Sequence, residues 1–476
     1  MSPNSFDPQK DRRFRFRFVE RRVMLLNGDF LAEILALIVT LWVWGNQSQP
    51  NGLTLSFILE RVPGWFYLLP FIWLFLMIEL HDVRKASSWV HTFQGVATAA
   101  LIGSVLYLGI YFTSPPESLP RTGVAVFIIS SIIFTLLWRF FYIRVLTTEL
   151  FLPRVLLVGG GVSGKILLKS FNKMDPKPYY IIGIIDDDPS KLGAEIEGYQ
   201  VLGEGSDLLD VIRKEKISDI IVAITGAIKG ATFQAVLDAQ ELGIEITRMP
   251  VAYEDLNQTV PIRILETDWI LRSFVDDTGA SGTYHVAKRI LDVVGGLIGV
   301  GIFLIIYLPI SFLIFVDDGL PILYRQERLG QGAKPYKIIK FRTMVKDAEV
   351  DGEAKWASDG DQRITKIGRF LRRTHLDEFP QFINVLKGEM SLVGPRSERP
   401  SLINKLQKDV PFYRARLLVK PGVTGWAQIN YGYPETVDET IDKLEYDLYY
   451  IKNRTILLDL RIILGTPATI FGLKGK

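Results

Sequence analysis

The sequence predicts a membrane protein of mixed α and α/β class, with a four-helix transmembrane bundle, a parallel α/β module and a third region that enters the membrane again. Three observations predict this architecture. Four apolar stretches lie within the first 150 residues, and strand-like and helix-like segments then alternate around a glycine-rich loop. A further uncharged run at residues 293–316 contains a proline.

The composition excludes several classes of protein before any motif is considered. The 476 residues include no cysteine and four histidines, so neither a disulfide framework nor a thiolate or histidine-rich metal centre is expected. The formal net charge of +3 is too small to indicate nucleic acid as a partner. Hydrophobic residues make up 48% and charged residues 22%, which is typical of membrane segments joined to soluble domains.

The N-terminal region, residues 1–150, is predicted to cross the membrane four times. Each apolar stretch is close to the ~20 residues that a helix needs to span a bilayer. The predicted spans are Met24–Trp44, Trp65–Leu80, Val90–Phe112 and Val124–Leu146. Basic residues cluster at 10–22, between the second and third spans, and at the end of the fourth. The positive-inside rule therefore puts the N-terminus and everything after residue 150 in the cytoplasm.

Three acids, Asp29, Glu33 and Glu79, lie within or at the edges of these spans. Acids inside a membrane can mark a transport path. Three acids near span ends are weak evidence for such a path, so pairing between helices is the predicted use.

Residues 151–250 are predicted to form a Rossmann-like module, a doubly wound parallel sheet. Strands are predicted at Arg154–Val158, Tyr179–Ile185, Ile220–Ile224 and Ile244–Arg248, with helices at Ser163–Lys173, Asp207–Lys214 and Gln234–Leu242. Gly159, Gly161 and Gly164 form a G-x-G-x-x-G motif, and Asp186 ends the next strand, where a ribose-binding acid is expected. They predict a nucleotide or dinucleotide site. A purely structural role stays open, because no catalytic Tyr and Lys set follows.

Residues 251–287 are predicted to be a connector, and a membrane helix is predicted at about 290–316. Pro309 lies inside the apolar run, and glycines crowd its first half. Basic residues flank the run on both sides. The helix is therefore predicted to break near Pro309 and return to the same membrane face instead of crossing.

Asp377 and Glu378 are adjacent carboxylates in a run of basic residues, just before Pro380. Proline is tolerated near a helix start, and apolar residues then recur at helical spacing, so the pair is predicted in or just before a first helical turn. Free N–H groups there and nearby arginines would bind phosphate. Those arginines are Arg372, Arg373 and Arg396. Carboxylates among cations can hold a divalent metal or act as nucleophiles, although acids in a first turn are also ordinary dipole partners.

Four sequence stretches in the C-terminal part of the chain match the motifs of a known family, in the order in which that family carries them. They are RQERLGQGAKPYKIIKFRTM, LRRTHLDEFPQFINVLKGEMSLVGPRSERP, VKPGVTGWAQINYG and KLEYDLYYIKNRTILLDLRII. In these stretches the chain resembles the large, long-form polyprenyl-phosphate phosphoglycosyl transferases, which start exopolysaccharide, capsule or O-antigen synthesis in bacteria. The four-helix start and the Rossmann-like module match that long form as well. One departure is Leu308-Pro309, where some members have Ser-Pro.

The resemblance implies a monotopic catalytic α/β domain over residues 288–476, with a re-entrant membrane helix. It implies transfer of a hexose-1-phosphate from a nucleoside-diphosphate sugar to undecaprenyl phosphate, with release of UMP. UDP-glucose and UDP-galactose are the donors expected from the family's habits. The resemblance assigns Asp377 as the nucleophile, which carries a covalent phosphosugar, and Glu378 as its partner, with Mg²⁺ bound at Asp377.

Further cations and acids complete the predicted site. Lys340, Arg342 and Arg396 are predicted to clamp substrate phosphates, because Arg forks fit phosphate and Lys supplies a point charge. Asp447 and Asp459 are predicted to orient those cations or the sugar, with exposed helix carboxylates as the simpler alternative. The expected location is the bacterial inner membrane, with the catalytic domain on the cytoplasmic face, and a homodimer is left open.

Two other functions remain as alternatives. One is a membrane-bound NAD-dependent nucleotide-sugar oxidoreductase or epimerase that uses the loop at residues 159–164. The other is a channel or sensor gated by the Rossmann-like module. Neither accounts for the C-terminal third of the chain.

Overall fold

The computed structural model describes residues 15–48, 52–113, 120–148, 150–226, 228–264, 282–346, 348, 361–432, 434 and 436–470. The chain divides into two compact units, Met1–Ala252 and Tyr253–Lys476. The basic residues at 10–14 and residues 265–281 of the predicted connector lie outside the described ranges.

Three long apolar helices dominate the N-terminal region. Its helices are α1 (Phe18–Ser48), α2 (Leu55–Glu60), α3 (Leu69–Leu76), α4 (Val83–Ala86), α5 (Trp89–Thr113) and α6 (Arg121–Phe141), which continues into a π-helical turn at Tyr142–Leu146. α1, α5 and α6 are long and apolar enough to span a membrane, which confirms three of the predicted spans by length and composition.

The second predicted span, Trp65–Leu80, is wrong as one long helix. The chain forms a 3₁₀ turn at Gly64–Leu68, then the short α3, then a second 3₁₀ turn at Ile78–His81. Pro70 lies in the first turn of α3, where its missing N–H interrupts the hydrogen bonding of the preceding turn. The resulting apolar segment, Gly64–Leu76, is shorter than the ~20 residues of a full span.

Buried polar contacts join α1 to α6. The Arg139 guanidinium donates to Asp29 at 2.7 Å, and neither side chain is exposed. The hydroxyls of Ser131 and Thr135 donate to Glu33 at 2.5 and 3.0 Å. The predicted use of these two acids in helix pairing is confirmed.

The Rossmann-like module has the predicted doubly wound sheet. Its strands are β1 (Arg154–Val158), β2 (Tyr180–Ile185), β3 (Glu195–Ile196), β4 (Tyr199–Gly203), β5 (Asp219–Val222) and β6 (Glu245–Arg248), with helices α7 (Val162–Asn172), α8 (Leu208–Glu215) and α9 (Gly230–Glu241). The strand order is β3-β4-β2-β1-β5-β6, and β1 is parallel to both neighbours. The antiparallel edge pair β3–β4 was not predicted.

The second unit surrounds a core of apolar side chains from several short elements. After α10 (Met249–Asn257), its elements are α11 (Gly282–Asp318), β7 (Leu323–Leu329), β8 (Pro335–Phe341), α12 (Lys366–Arg373), α13 (Phe382–Lys387), β9 (Ser391–Val393), α14 (Pro400–Asp409), β10 (Gly422–Thr424), α15 (Trp426–Asn430), α16 (Val437–Asn453) and α17 (Ile456–Ile470). β7 and β8 form an antiparallel hairpin, and β9 and β10 pair in parallel.

The helix α11 is continuous over 37 residues and contains Pro309 in its interior. The predicted break of helical structure at Pro309 is therefore wrong. A proline removes one backbone hydrogen bond and bends a helix, and the turns on both sides continue the helical hydrogen bonding. The return of this segment to the same membrane face stays a prediction.

One face of α11 packs along its whole length against the rest of the second unit. In its first half, a Cβ at Gly299 would lie 2.2 Å from the Phe382 ring, so only glycine permits this close approach. In its second half, Ile310 and Ile314 share a buried cluster with Phe341 and Leu371. The other face carries strongly exposed apolar side chains, among them Leu297, Ile305 and Leu308. The exposed face is suited to lipid.

Candidate active site

The Asp-Glu pair lies in the first turn of a short helix, as the sequence predicts. Thr365 caps the N-terminus of α12, and its hydroxyl accepts the Gly368 N–H at 2.9 Å. The chain then turns at His375, which has a positive φ of 53°, and enters a 3₁₀ helix at Leu376–Gln381 that leads into α13. This turn buries the carboxylates of Asp377 and Glu378.

Two cations hold Glu378. Lys340 on β8 donates to its Oε1 at 2.7 Å, and Arg396, which follows β9, donates to the same oxygen at 2.8 Å. Burial pushes the pKa of Glu378 upward, but the charges of Arg396 and Lys340 outweigh burial and hold that pKa well below its ordinary value. Glu378 is therefore an anion that both cations neutralise.

Asp377 differs from its neighbour because its side chain has no hydrogen bond and no ion pair with any described residue, although it is only 7% exposed. Burial raises the pKa of Asp377, and the charge of Glu378 adds to this. The charges of Lys340, Arg396 and Arg372 act in the opposite direction. The arrangement leaves a buried carboxylate with unused oxygens beside a cationic field, which suits attack on phosphorus.

The other predicted phosphate-binding residues lie at different distances from this centre. The Arg372 Nε–H donates to Thr343 Oγ1 at 2.9 Å, and its charge reaches Asp377. Arg373 is exposed. Arg342 instead holds the end of α11, because its guanidinium donates to the carbonyls of Asp318 and Gly319 at 2.9 and 2.7 Å. The structure thus gathers Lys340, Arg372 and Arg396 around the acid pair and directs Arg342 to the membrane helix.

Asp447 is buried and not an exposed helix carboxylate. It accepts the Arg416 Nε–H at 2.8 Å, and the same guanidinium donates through another nitrogen to the Arg396 carbonyl at 3.0 Å. Arg416 was missed in the sequence, since it lies outside the stretches that carry the resemblance. A buried arginine that joins Asp447 to the backbone of Arg396 positions this part of the site.

Asp459 is buried too, and it connects the membrane helix to β9. It pairs with Lys288 of α11 at 3.1 Å and accepts the hydroxyl of Tyr450 at 2.8 Å. Lys288 donates to the Val393 carbonyl at 3.0 Å, and the Tyr450 hydroxyl oxygen lies 3.1 Å from the same carbonyl oxygen. Asp459 therefore supports the strand that leads to Arg396.

The glycine loop of the Rossmann-like module has the expected backbone. Gly159 has a φ of 107°, and a Cβ at Gly164 would lie 2.2 Å from the Gly159 carbonyl oxygen, so both positions require glycine. A Cβ at Gly161 would meet no atom within 4 Å. Asp186 accepts the Gly160 N–H at 2.7 Å and both its oxygens lie 3.1 Å from the Lys191 ammonium. These contacts use the lone pairs that a ribose would need, and nucleotide binding at the module stays a prediction.

Among the described residues, no group of three or more His, Asp and Glu side chains is arranged to hold a metal ion. The carboxylate oxygens of Asp377 accept no hydrogen bond from a described residue, and they lie among cations that suit phosphate. Mg²⁺ is often held by one or two carboxylates together with substrate phosphates. The residues present fit that mode of binding, with Asp377 as the protein ligand.

A long apolar helix packs on a domain that carries a buried acid pair and convergent cations, an arrangement typical of a membrane-associated protein that acts on phosphorylated ligands. The bacterial sugar transferase family matches residues 283–472, and a CoA-binding domain matches residues 82–250. The chain belongs to the bacterial sugar transferase family.

Three relatives illustrate the similarity. The UDP-N-acetylgalactosamine-undecaprenyl-phosphate N-acetylgalactosaminephosphotransferase of Aeromonas hydrophila is 40% identical over 190 residues, which are 40% of this chain and 45% of that protein. The UDP-glucose:undecaprenyl-phosphate glucose-1-phosphate transferase of Klebsiella pneumoniae is 33% identical over 66% of each chain. The exopolysaccharide production protein PSS of Rhizobium leguminosarum bv. phaseoli is 38% identical over 38% of this chain and 93% of that protein. The chain thus spans about half of the first relative and just under two thirds of the second.

Proposed function

We propose that the protein transfers a hexose-1-phosphate from a nucleoside-diphosphate sugar to undecaprenyl phosphate and releases UMP. This would be the first membrane step of exopolysaccharide, capsule or O-antigen synthesis. The observation that carries the proposal is the buried Asp377 carboxylate, which has no hydrogen-bond or ion-pair partner among the described residues and lies next to Glu378 and its two cations. The names of two relatives state the same type of reaction, with glucose as the sugar in one case and N-acetylgalactosamine in the other.

The reaction takes place in two displacements. A carboxylate oxygen of Asp377 attacks the phosphorus that carries the hexose, the phosphorus–oxygen bond of the diphosphate breaks, and UMP leaves with the electron pair. An oxygen of undecaprenyl phosphate then attacks the aspartyl phosphate, which forms the lipid diphosphate and regenerates the Asp377 carboxylate. A covalent intermediate divides one difficult displacement into two easier ones.

The cations around the acid pair offset the charge of an anion that attacks an anion. Lys340 and Arg396 already surround Glu378, and Arg372 acts on Asp377. Arg forks and the Lys ammonium are the groups that bind phosphate oxygens in proteins. When bound at Asp377, Mg²⁺ would neutralise phosphate charge further.

The packing of α11 supports access from one membrane face. Both halves of this helix contact the rest of the second unit. The first half packs on Phe382, and the second half packs on Phe341. A helix that crossed the bilayer would carry its second half away from a domain on the first side. A helix that stays with its domain keeps Asp377 next to both the cytoplasmic donor and the lipid acceptor, in the bacterial inner membrane.

The relatives indicate the class of sugar that is transferred and not the individual sugar. UDP-glucose is our first candidate donor and UDP-galactose the second, and the relative from Aeromonas hydrophila extends the class to N-acetylated hexoses. A homodimer is compatible with this proposal but is not required by it, since the acid pair and its cations come from one chain.

The test uses membranes that contain the full chain, undecaprenyl phosphate and a panel of nucleotide sugars labelled in the hexose. The wild type should transfer label to the lipid and, without the lipid, retain label on the protein. Asp377→Asn should do neither. Asp409→Asn, at an exposed carboxylate of α14, should behave like the wild type. Normal lipid labelling by Asp377→Asn would refute the covalent scheme.

A further inference from the structure

Asn384 lies within α13 and forms hydrogen bonds to the backbone of β8. Its side chain is completely buried. The Asn384 Oδ1 accepts the Ile339 N–H at 3.2 Å, and its Nδ2 donates to the Lys337 carbonyl at 2.9 Å. Backbone groups of alternate residues in a strand point to the same edge, so the amide binds one edge of β8. The reaction scheme above gives this contact no role.

That edge of β8 has no partner strand among the described residues, because β8 pairs only with β7 in a two-stranded hairpin. A primary amide carries the same kinds of donor and acceptor as a peptide group. Asn384 therefore takes the place that a residue of a third strand would occupy. Its side chain joins the open edge of β8 to the helix α13.

A carboxylate fixes the orientation of this amide. The Asn384 Nδ2 also donates to Glu389 at 2.7 Å. A reversed amide would turn its oxygen toward the Lys337 carbonyl and the Glu389 carboxylate, and both of these are acceptors. The helix that carries the amide is itself held by the membrane helix, since Arg289 of α11 donates to two carbonyls in the last turn of α13, at 3.0 and 2.8 Å. The contact to β8 thus starts from a fixed support.

The two segments that Asn384 joins carry the two partners of an ion pair in the candidate site. Lys340 follows Ile339 on β8, and Glu378 lies in the 3₁₀ helix that leads into α13. The Lys340 Nζ lies 2.7 Å from the Glu378 Oε1. A lysine side chain is long and flexible, so the position of its ammonium depends on where its backbone is held. Asn384 holds that backbone at the residue next to Lys340.

We propose that Asn384 is a positioning residue for the transfer reaction, whose amide clamps β8 to α13 and thereby places the Lys340 ammonium against Glu378 and the phosphates of the donor. The inference rests on the proposed function and adds to it the means by which the phosphate-binding lysine is placed. Asn384 itself touches neither acid of the pair in the described structure, so it acts through Lys340.

Asn384→Asp tests the clamp because it keeps the size of the side chain and replaces the amide NH₂ by an oxygen. The Lys337 carbonyl and the Glu389 carboxylate then face another acceptor, so the clamp opens although the packing volume is nearly unchanged. A misplacement of about 1 Å can slow a reaction by about a hundredfold. Asn404→Asp, at an exposed amide of α14, is the matched control.

The experiment measures a single turnover of the full chain in membranes, without the lipid acceptor. The probe is the nucleotide sugar of the panel above that the wild type accepts, labelled in the hexose. The labelled fraction reports how much protein is folded, and the rate constant reports the geometry of the site in that fraction. Asn384→Asp should lower the rate constant at saturating donor by about ten- to a hundredfold, and Asn404→Asp should match the wild type.

Two further comparisons separate positioning from folding. In a Lys340→Met background, Asn384→Asp should not lower the rate constant again, because the lysine that it misplaces is gone. Asn384→Asp combined with Glu389→Gln should recover part of the rate constant, because the amide introduced at position 389 donates to the carboxylate at position 384. A purely structural role would instead lower the labelled fraction and leave the rate constant unchanged.

Each outcome decides the matter. A wild-type rate constant for Asn384→Asp overturns the inference, and so does an equal loss in the Lys340→Met background. If Asn384→Asp takes no label at all, Glu389→Ala decides, since it loosens the amide but leaves both bonds to β8 in place. An intermediate rate constant for Glu389→Ala supports the clamp, and a wild-type value overturns it. A wild type that no nucleotide sugar labels would refute the proposed function itself.

Discussion

Asp292 on the membrane helix α11 accepts the Ser391 hydroxyl at 2.8 Å, and the same oxygen accepts the Leu392 N–H at 2.9 Å. One turn earlier, Lys288 donates to the Val393 carbonyl at 3.0 Å. Two charged residues of the helix therefore hold the whole of β9, the strand that precedes Arg396. The backbone that carries a predicted phosphate ligand is fixed directly to the membrane helix.

Asp292→Ala should destabilise the protein, because it leaves two buried donors without an acceptor. Each unsatisfied donor costs about 1–3 kcal/mol. The apparent Tm of the solubilised protein should fall clearly, and transfer activity should fall with it. Asp292→Asn keeps one acceptor oxygen and should give an intermediate value, whereas Asp409→Ala on the surface should match the wild type. An unchanged Tm for Asp292→Ala would contradict the assigned role.

Glu378→Gln should shift the pH dependence of protein labelling. Burial raises the pKa of Asp377, and the charge of Glu378 raises it further. Removal of that charge lowers the pKa, so more Asp377 is ionised in acid and the acid limb of the rate profile moves to lower pH. The overall rate should also fall, because Lys340 and Arg396 lose their partner. The measurement is the initial rate of labelling across pH, with Glu327→Gln as the control. A limb that stays in place or moves upward would contradict the coupling.

Arg416 and Asp447 should be coupled in stability. Arg416→Met leaves a buried carboxylate without its partner, and Asp447→Leu leaves a buried guanidinium, at about 3–5 kcal/mol each. The double variant should lose much less free energy of unfolding than the sum of the two. Its activity should stay low, since Arg416 also holds the Arg396 carbonyl. Additive losses in stability, or activity that recovers with stability, would argue against a positioning role.

Glu445 should make stability depend on pH. Burial, with the charge of Asp442 in addition, raises the pKa of Glu445 from 4.5 to about 8. Between these values the folded protein binds more protons than the unfolded chain, so stability falls as pH rises, by up to about 1.4 kcal/mol per pH unit. Glu445→Gln keeps an acceptor for the Ile262 N–H and removes this loss. The gain in apparent Tm should be larger at pH 8 than at pH 5, and equal gains would refute the assignment.

The sequence predicted most of the Rossmann-like sheet well, because β1, β2 and β5 consist largely of apolar residues. β1, β2, β5 and β6 begin and end within about two residues of the predicted limits, a typical boundary uncertainty. β3 was missed because it has only two residues, too few for a pattern, and β4 was missed because its five residues mix polar and apolar side chains. The second span failed for a local reason, since hydropathy does not register the effect of Pro70 on hydrogen bonding.

The candidate site was predictable only where its chemistry is local. The position of Asp377 and Glu378 follows from neighbouring residues, and the structure agrees with it. The contact of Arg416 with Asp447 joins residues 31 apart, and the contact of Asp292 with Ser391 joins residues 99 apart. Such pairs depend on how helices pack, which periodicity alone does not determine. The direction of Arg342 toward α11 was hidden for the same reason.

The close fit of α11 to its domain has a practical consequence. A fragment that begins after Asp318 would expose Phe341 and Leu371, which that helix now covers, and would leave Leu392 without its partner surface at Gly295. Such a fragment should aggregate in buffer even though every residue of the Asp-Glu turn is retained. Biochemical work on the transfer step therefore needs the helix, and with it a detergent micelle or a lipid nanodisc.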